Sequence, residues 1–237
     1  MKRILVFFMA VAAAGPAAAQ SLDRLGALDQ REFRLLSEDL GGVLAYRPQT
    51  PTEPLGSAGF DVGVGLTAVN IQNEEILERA SSDGASSTLA VPSVRFHKGL
   101  PFGFDVGASY AVVPDSDIEF YGGELRYSLV LGGAGGPALG LRGALSTLRG
   151  VDDLDLDTGS VDLSISQGFA AFTGYAGVGH VWIDSEAKNV PGLRKEEFEL
   201  GKVFAGIGFR LGLVNVNLEL DQTGDVTAFG IKVGLRQ

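Results

Sequence analysis

From position 58 to the end of the chain, apolar and polar residues alternate with a period of two. Phe60, Val62, Val64, Leu66 and Ala68 share one face, and Asp61, Gly63, Gly65 and Thr67 share the other. The same alternation sets Phe102, Phe104, Val106, Ala108, Tyr110 and Val112 against Gly103, Asp105, Gly107, Ser109 and Ala111. It recurs around Leu125–Leu131, Val161–Ile165, Val203–Leu211, Val214–Leu220 and Phe229–Leu235. Less regular segments near 87–98, 138–149 and 171–183 complete a set of ten predicted strands. This period belongs to β-strands with one apolar face. The connections alternate too. Those at 72–86, 150–157 and 184–196 are long and polar; those at 97–101, 132–137, 167–170 and 212–214 are tight and carry glycine. The connections at 114–117 and 222–225 are short exceptions on the long side.

Before position 58 the period changes. Residues 21–46 read as helix: Leu22 and Leu25 are three apart, and Phe33, Leu36 and Leu40 follow the i, i+3, i+7 spacing. Gly41-Gly42 is its expected stop. RPQTPTEPLG follows, and its three prolines predict an extended connector. The first 19 residues order a basic pair (Lys2, Arg3), a short apolar run and Ala17-Ala18-Ala19, the pattern of a secretory signal peptide. The expected organisation is therefore a signal peptide over 1–19, a helical segment and connector over 20–57, and a β-barrel over 58–237.

Period two alone does not say which solvent meets the apolar face. In a sandwich or a soluble carrier barrel it points inward; in a membrane barrel it points outward. Here the polar face carries Asp61, Arg95, Asp105, Glu124, Arg126, Arg142, Asp162, Lys202, Arg210, Glu219, Asp221, Lys232 and Arg236 among many glycines, serines and asparagines. Seven basic and six acidic groups among small residues suit a lumen closed by internal ion pairs better than a soluble surface. The 34 glycines would weaken a helical protein, but on a lumen face they leave room for larger side chains. That accounts for two near-identical stretches, GFDVGVGL at 59–66 and GFDVGASY at 103–110: Phe and Val face lipid, Asp and Gly face the lumen. Tyr46, Tyr110, Tyr121, Tyr127, Tyr175 and Trp182 are candidates for interfacial girdles. The expectation is an all-β, up-and-down antiparallel transmembrane barrel of about ten strands, with an N-terminal helical plug or cap on the periplasmic side whose apolar stripe is Phe33, Leu36 and Leu40. The alternative is a soluble periplasmic barrel binding a small apolar ligand.

Composition removes other classes. The net charge of −10 falls to −12 once Lys2 and Arg3 leave with the signal, which disfavours nucleic acid. There is no cysteine, so no disulfide framework.

The segments SEDLGGVLAYRP, EPLGSAGFDVGVGLTA, LPFGFDVGASYA, YGGELRYSL, GVDDLDLDTGSVDLSISQGF and YAGVGHVWI resemble small proteobacterial outer-membrane β-barrel proteins of the OmpA/OmpW-like type over nearly the whole mature chain. The resemblance implies the fold and a Gram-negative outer-membrane location. The partners expected of such a barrel are outer-membrane lipid and lipopolysaccharide, the barrel assembly machinery and a small solute or ligand. The chain departs from such proteins at its end: it closes GIKVGLRQ instead of on an aromatic residue, so Leu235 or Phe229 would carry the assembly signal.

Candidate chemistry is sparse. Asp153, Asp155 and Asp157 imitate the start of a calcium loop but lack the glycine and glutamate that complete it; they read as a solvated strand rim above the membrane, with divalent-cation binding as the alternative. Residues 63–68 match G-x-G-x-x-A, but no helix follows, so no dinucleotide site is expected. His97 and His180 are the only histidines. A hydrolase would need Ser164 or Ser166 aligned with His180. The expectation is no enzyme, no cofactor and a narrow or closed lumen.

Overall fold

The computed structural model describes residues 22–82, 86–133, 136–170 and 172–237. The signal peptide expected over 1–19 lies outside the described residues. Ten antiparallel strands close into one barrel in sequence order. They are β1 (Phe60–Asn70), β2 (Thr88–Gly99), β3 (Phe104–Val112), β4 (Glu119–Gly133), β5 (Gly136–Arg149), β6 (Leu154–Gly168), β7 (Thr173–Ala187), β8 (Glu196–Leu211), β9 (Val214–Thr223) and β10 (Val226–Arg236). The seam pairs β1 with β10 from Asp61↔Arg236 to Asn70↔Thr227, and Gln237 exchanges both backbone hydrogen bonds with Phe60. Closure leaves no open edge.

The short-turn end is here called the lower end. There the apolar face points outward: Val62, Val64, Val94, Phe96, Leu125, Leu163, Val178, Val203, Phe229, Ile231, Val233 and Leu235 are all exposed. Aromatic residues ring this band. Phe104 and Tyr127 stack at 4.7 Å near the lower rim, where Phe169, Phe172 and Phe209 also sit. Tyr110, Tyr121 and Trp182 stand outward near the upper rim. A closed barrel with an apolar exterior, aromatic girdles and a charged interior is an outer-membrane β-barrel. Two of the tyrosines expected in the girdles face inward instead: Tyr46 and Tyr175 are buried in the lumen.

Strands β4–β8 run 14–16 residues, beyond the 9–11 that a tilted strand needs to span a bilayer. The excess forms a wall above the membrane, and there the pattern inverts. Leu148, Leu154, Leu156, Val181, Ile183, Val226 and Ala228 point inward on the same face that carries charges lower down. Asp155, Asp157, Asp184 and Glu186 point outward.

Helix α1 (Gln30–Leu44) fills this upper chamber. It opens on a capping box in which Asp29 accepts from Glu32 N at 2.9 Å and Glu32 accepts from Asp29 N at 3.0 Å. Phe33, Leu36 and Leu40 are buried against the inverted face. The helix therefore sits at the long-loop mouth, not on the periplasmic side as expected. The reason is physical: its apolar stripe needs an apolar partner, and among the described residues the upper wall is what offers one inside the barrel. Gly41-Gly42 does not stop the helix. A Cβ at Gly41 would lie 2.6 Å from the Ile183 side chain, and one at Gly42 would lie 2.6 Å from Val226. The pair lets α1 approach the wall, and the helix ends two residues later. The long connection after β1 carries a second helix, α2 (Glu74–Ala80), where only loop was expected. Asp39 ties the two helices together, accepting from Asn73 N at 2.8 Å and Asn73 Nδ2 at 3.0 Å.

Candidate functional site

The lumen between the girdles is the site with the most concentrated chemistry. Asp61 and Asp105, from the two GFDV stretches, are both buried on its wall. Lys232 Nζ donates to both Asp61 oxygens at 2.9 Å. Arg126 grips Asp105 through Nε at 3.1 Å and Nη2 at 2.7 Å. Arg142 grips Asp162, with Nε donating at 2.9 Å, and lies 3.7 Å from Glu124. His97 Nε2 approaches Glu124 at 3.3 Å. The sequence-derived lumen set is therefore brought together, with one exception. Arg210 shares the inward parity but sits exposed near the lower end of β8.

What fills the lumen is not the helix but the connector after it. Tyr46, Arg47, Gln49, Thr50 and Thr52 are all buried. The chain leaves α1 at the top, descends through the barrel in extended form and turns at Gly56 (φ 73°) into the foot of β1. An extended segment unpaired with the wall carries orphan backbone groups. Three features deal with them. Pro48, Pro51 and Pro54 have no N–H to satisfy. Lumen cations serve the carbonyls: Lys202 donates to Tyr46 O, Arg95 to Arg47 O, Arg126 to Pro51 O at 2.9 Å and Arg236 to Glu53 O at 3.0 Å. Lumen acids serve amides: Glu219 accepts from Gln49 N at 3.0 Å and Asp105 from Leu55 N at 3.1 Å.

Arg47 couples the plug to the helix. Its Nε donates to Asp221 at 2.7 Å, while Nη1 and Nη2 donate to the carbonyls of Val43 and Gly42 at 2.7 and 2.8 Å. Those are C-terminal carbonyls of α1, which need external donors. Gln49 adopts a left-handed φ of 46°, held there by its amide bond to Glu219 and by its side chain, which donates to Thr67 at 2.9 Å. Glycines on the wall make the room. A Cβ at Gly122 would meet the Tyr46 ring at 2.8 Å, and Cβ atoms at Gly177 and Gly206 would collide with Phe204 and Tyr175. Phe204 shares the lumen face with the charges, under the Arg142 and Lys202 cations at 5.4 and 5.5 Å.

The remaining candidates do not assemble into sites. Ser164 and Ser166 face the lumen, whereas His180 is exposed on the outer face, so the serine–histidine pair does not form. Asp153, Asp155 and Asp157 do not converge: Asp155 pairs with Lys188, and among the described residues no group of three His, Cys, Asp or Glu side chains is placed to hold a metal ion. Leu235 and Phe229 both face lipid.

No family model matches this chain, and no curated protein matches it. Among solved structures it is similar to LpxR from Salmonella typhimurium, at 8% identity, with TM-score 0.39, over 73% of this chain and 99% of that one. It is similar to the outer membrane protein OprG from Pseudomonas aeruginosa, at 10% identity, with TM-score 0.37, over 79% and 99%. It is also similar to Ail, the attachment invasion locus protein of Yersinia pestis, at 11% identity, with TM-score 0.32, over 76% and 97%.

Proposed function

We propose that this outer-membrane barrel is self-plugged: a closed, non-catalytic envelope barrel with a structural or interaction role, whose lumen passes no solute while residues 45–55 occupy it. One observation carries this reading. Most of the wall's buried charges are spent on the backbone of a single descending segment or on one another. A permanent pore would keep such groups hydrated for its solute. The partners this reading calls for are outer-membrane lipid and lipopolysaccharide along the apolar wall, and the barrel assembly machinery during insertion. The soluble-carrier alternative finds its inward apolar face only in the upper chamber, and there α1 fills the space. Passage of a small solute would require the plug to leave.

The test is conductance in planar bilayers. The full mature protein should stay near baseline, and a variant lacking residues 22–57 should show discrete openings. Full-length protein conducting as well as the deletion would sink the reading.

A further inference from the structure

We propose that the upper lumen binds one small monovalent anion of halide size, held between Arg95 and the plug. A cavity of about 40 Å³ lies where α1 gives way to the plug, bounded by Tyr46, Arg47, Ser93, Arg95 and the inward faces of the neighbouring strands. That is space for roughly two or three waters, or one halide with a water. Three donors line it without a hydrogen-bond partner among the described residues: Arg95 Nε, Tyr46 Oη and Ser93 Oγ. Each belongs to a residue more than nine-tenths buried. A guanidinium Nε only donates, and both hydroxyls are able to donate.

Charge points the same way. Arg47, Arg126, Arg142 and Arg236 each have a carboxylate within ion-pair range. Arg95 and Lys202 are the buried cations with none among the described ion pairs: Lys202 holds the Tyr46 carbonyl, while Arg95 holds the Arg47 carbonyl, lies 5.9 Å from the Tyr46 ring and has Glu219 and Glu124 only as longer-range electrostatic neighbours. Wall and plug together bury seven cations (these five arginines, Lys202 and Lys232) against six carboxylates. Asp39, the further buried carboxylate, is engaged above with residues 72–73. An uncompensated buried charge is costly, and one monovalent anion beside Arg95 balances the excess of one. Because Arg95 also holds the Arg47 carbonyl, the anion and the plug share a partner. An anion that binds only the plugged barrel stabilises that state by mass action.

The experiment uses the full mature protein with bromide as probe. Crystals grown in bromide should give an anomalous bromine peak within hydrogen-bond reach of Arg95 Nε and Tyr46 Oη. The heating midpoint of the detergent-resistant form should stand a few degrees higher in chloride than in gluconate at equal ionic strength. Arg95→Gln should abolish both. Absence of the peak, with water alone in the cavity, would overturn the proposal, as would a chloride–gluconate difference that survives in Arg95→Gln. Should Arg95→Gln fail to assemble, the Tyr46→Phe/Ser93→Ala double variant decides: lost bromine occupancy supports the site, and unchanged occupancy overturns it.

Discussion

Small and large residues face each other across the lumen, and the glycines hold that arrangement in place. Gly206 lies under Tyr175, and a Cβ there would also come 2.6 Å from the Leu218 carbonyl, which is backbone and cannot swing away. Gly206→Ala should therefore destabilise the barrel by about 1–3 kcal/mol, the usual cost of overpacking. It should show as a lower temperature for loss of the unboiled gel mobility. Arg47 carries more. Removing it strands Asp221 in the lumen and leaves α1 carbonyls unserved, so Arg47→Met should cost about 3 kcal/mol or more. Asp221→Asn added to it should restore part of the loss, because the stranded charge then disappears. An additive double variant would show that the pair is not coupled. Much of this was legible from residue type. A charge or a glycine that alternates with valine and phenylalanine has one sensible side of a membrane wall. Phe204, Tyr46 and Tyr175 were not legible, because an aromatic ring suits lipid and a packed lumen alike.

The elements show where period alone misleads. In β6 the outward apolar residues are Val161, Leu163 and Ile165, but Leu154 and Leu156 have the opposite parity. The hydrophobic phase flips within one strand without a bulge, because the strand leaves lipid and enters water. That flip is present in the sequence and marks the membrane boundary; the same flip makes the 171–183 segment look irregular, since Val181 and Ile183 turn inward above Val178. Helix α1 exists to fill the chamber that the flip creates. Gly42→Leu should expel it, since even a Cβ there meets Val226 at 2.6 Å. Faster amide exchange throughout 30–44 with unchanged exchange in β1–β3 would be the signature. The start of α1 should also respond to pH. The Asp29 backbone amide, and then Arg79, hold the half-buried Glu32 carboxyl below its ordinary 4.5. A lowered folded value means stabilisation that is complete above pH 4.5 and lost as pH falls through the lowered value. Wild type should protect the first turn better than Glu32→Gln at pH 7, and the two should converge in acid. A constant difference across that range would exclude the capping carboxylate as the cause.

At the scale of the whole molecule, the direction of the plug decides at which mouth of the barrel Leu22 stands. The barrel's termini and its tight turns lie at one end, and α1 with the long connections lies at the other. In outer-membrane barrels the short turns are periplasmic and the longer loops are outside. The chain therefore crosses the membrane once inside its own barrel before building it, and Leu22 stands at the outer mouth while Gln237 stands at the inner one. No sequence pattern announced this: the connector was legible as extended, but nothing in three prolines says that it runs down a lumen and not beneath one. The consequence is unusual for a chain that enters strand β1 from the periplasmic side. An epitope placed just ahead of Leu22 should be reached by antibody on intact cells, and one after Gln237 only after permeabilisation. The opposite result, with the first epitope hidden and shielded from added protease, would put the helix below the barrel and remove the plug from the lumen. Anchoring makes the surface position durable, because the ion pairs and carbonyl contacts along residues 46–53 must all break before the chain can withdraw. Buried contacts of that kind are lost together, not one by one, so partial shaving of the exposed end should leave the remaining segment locked in place and the barrel's heat-dependent mobility unchanged.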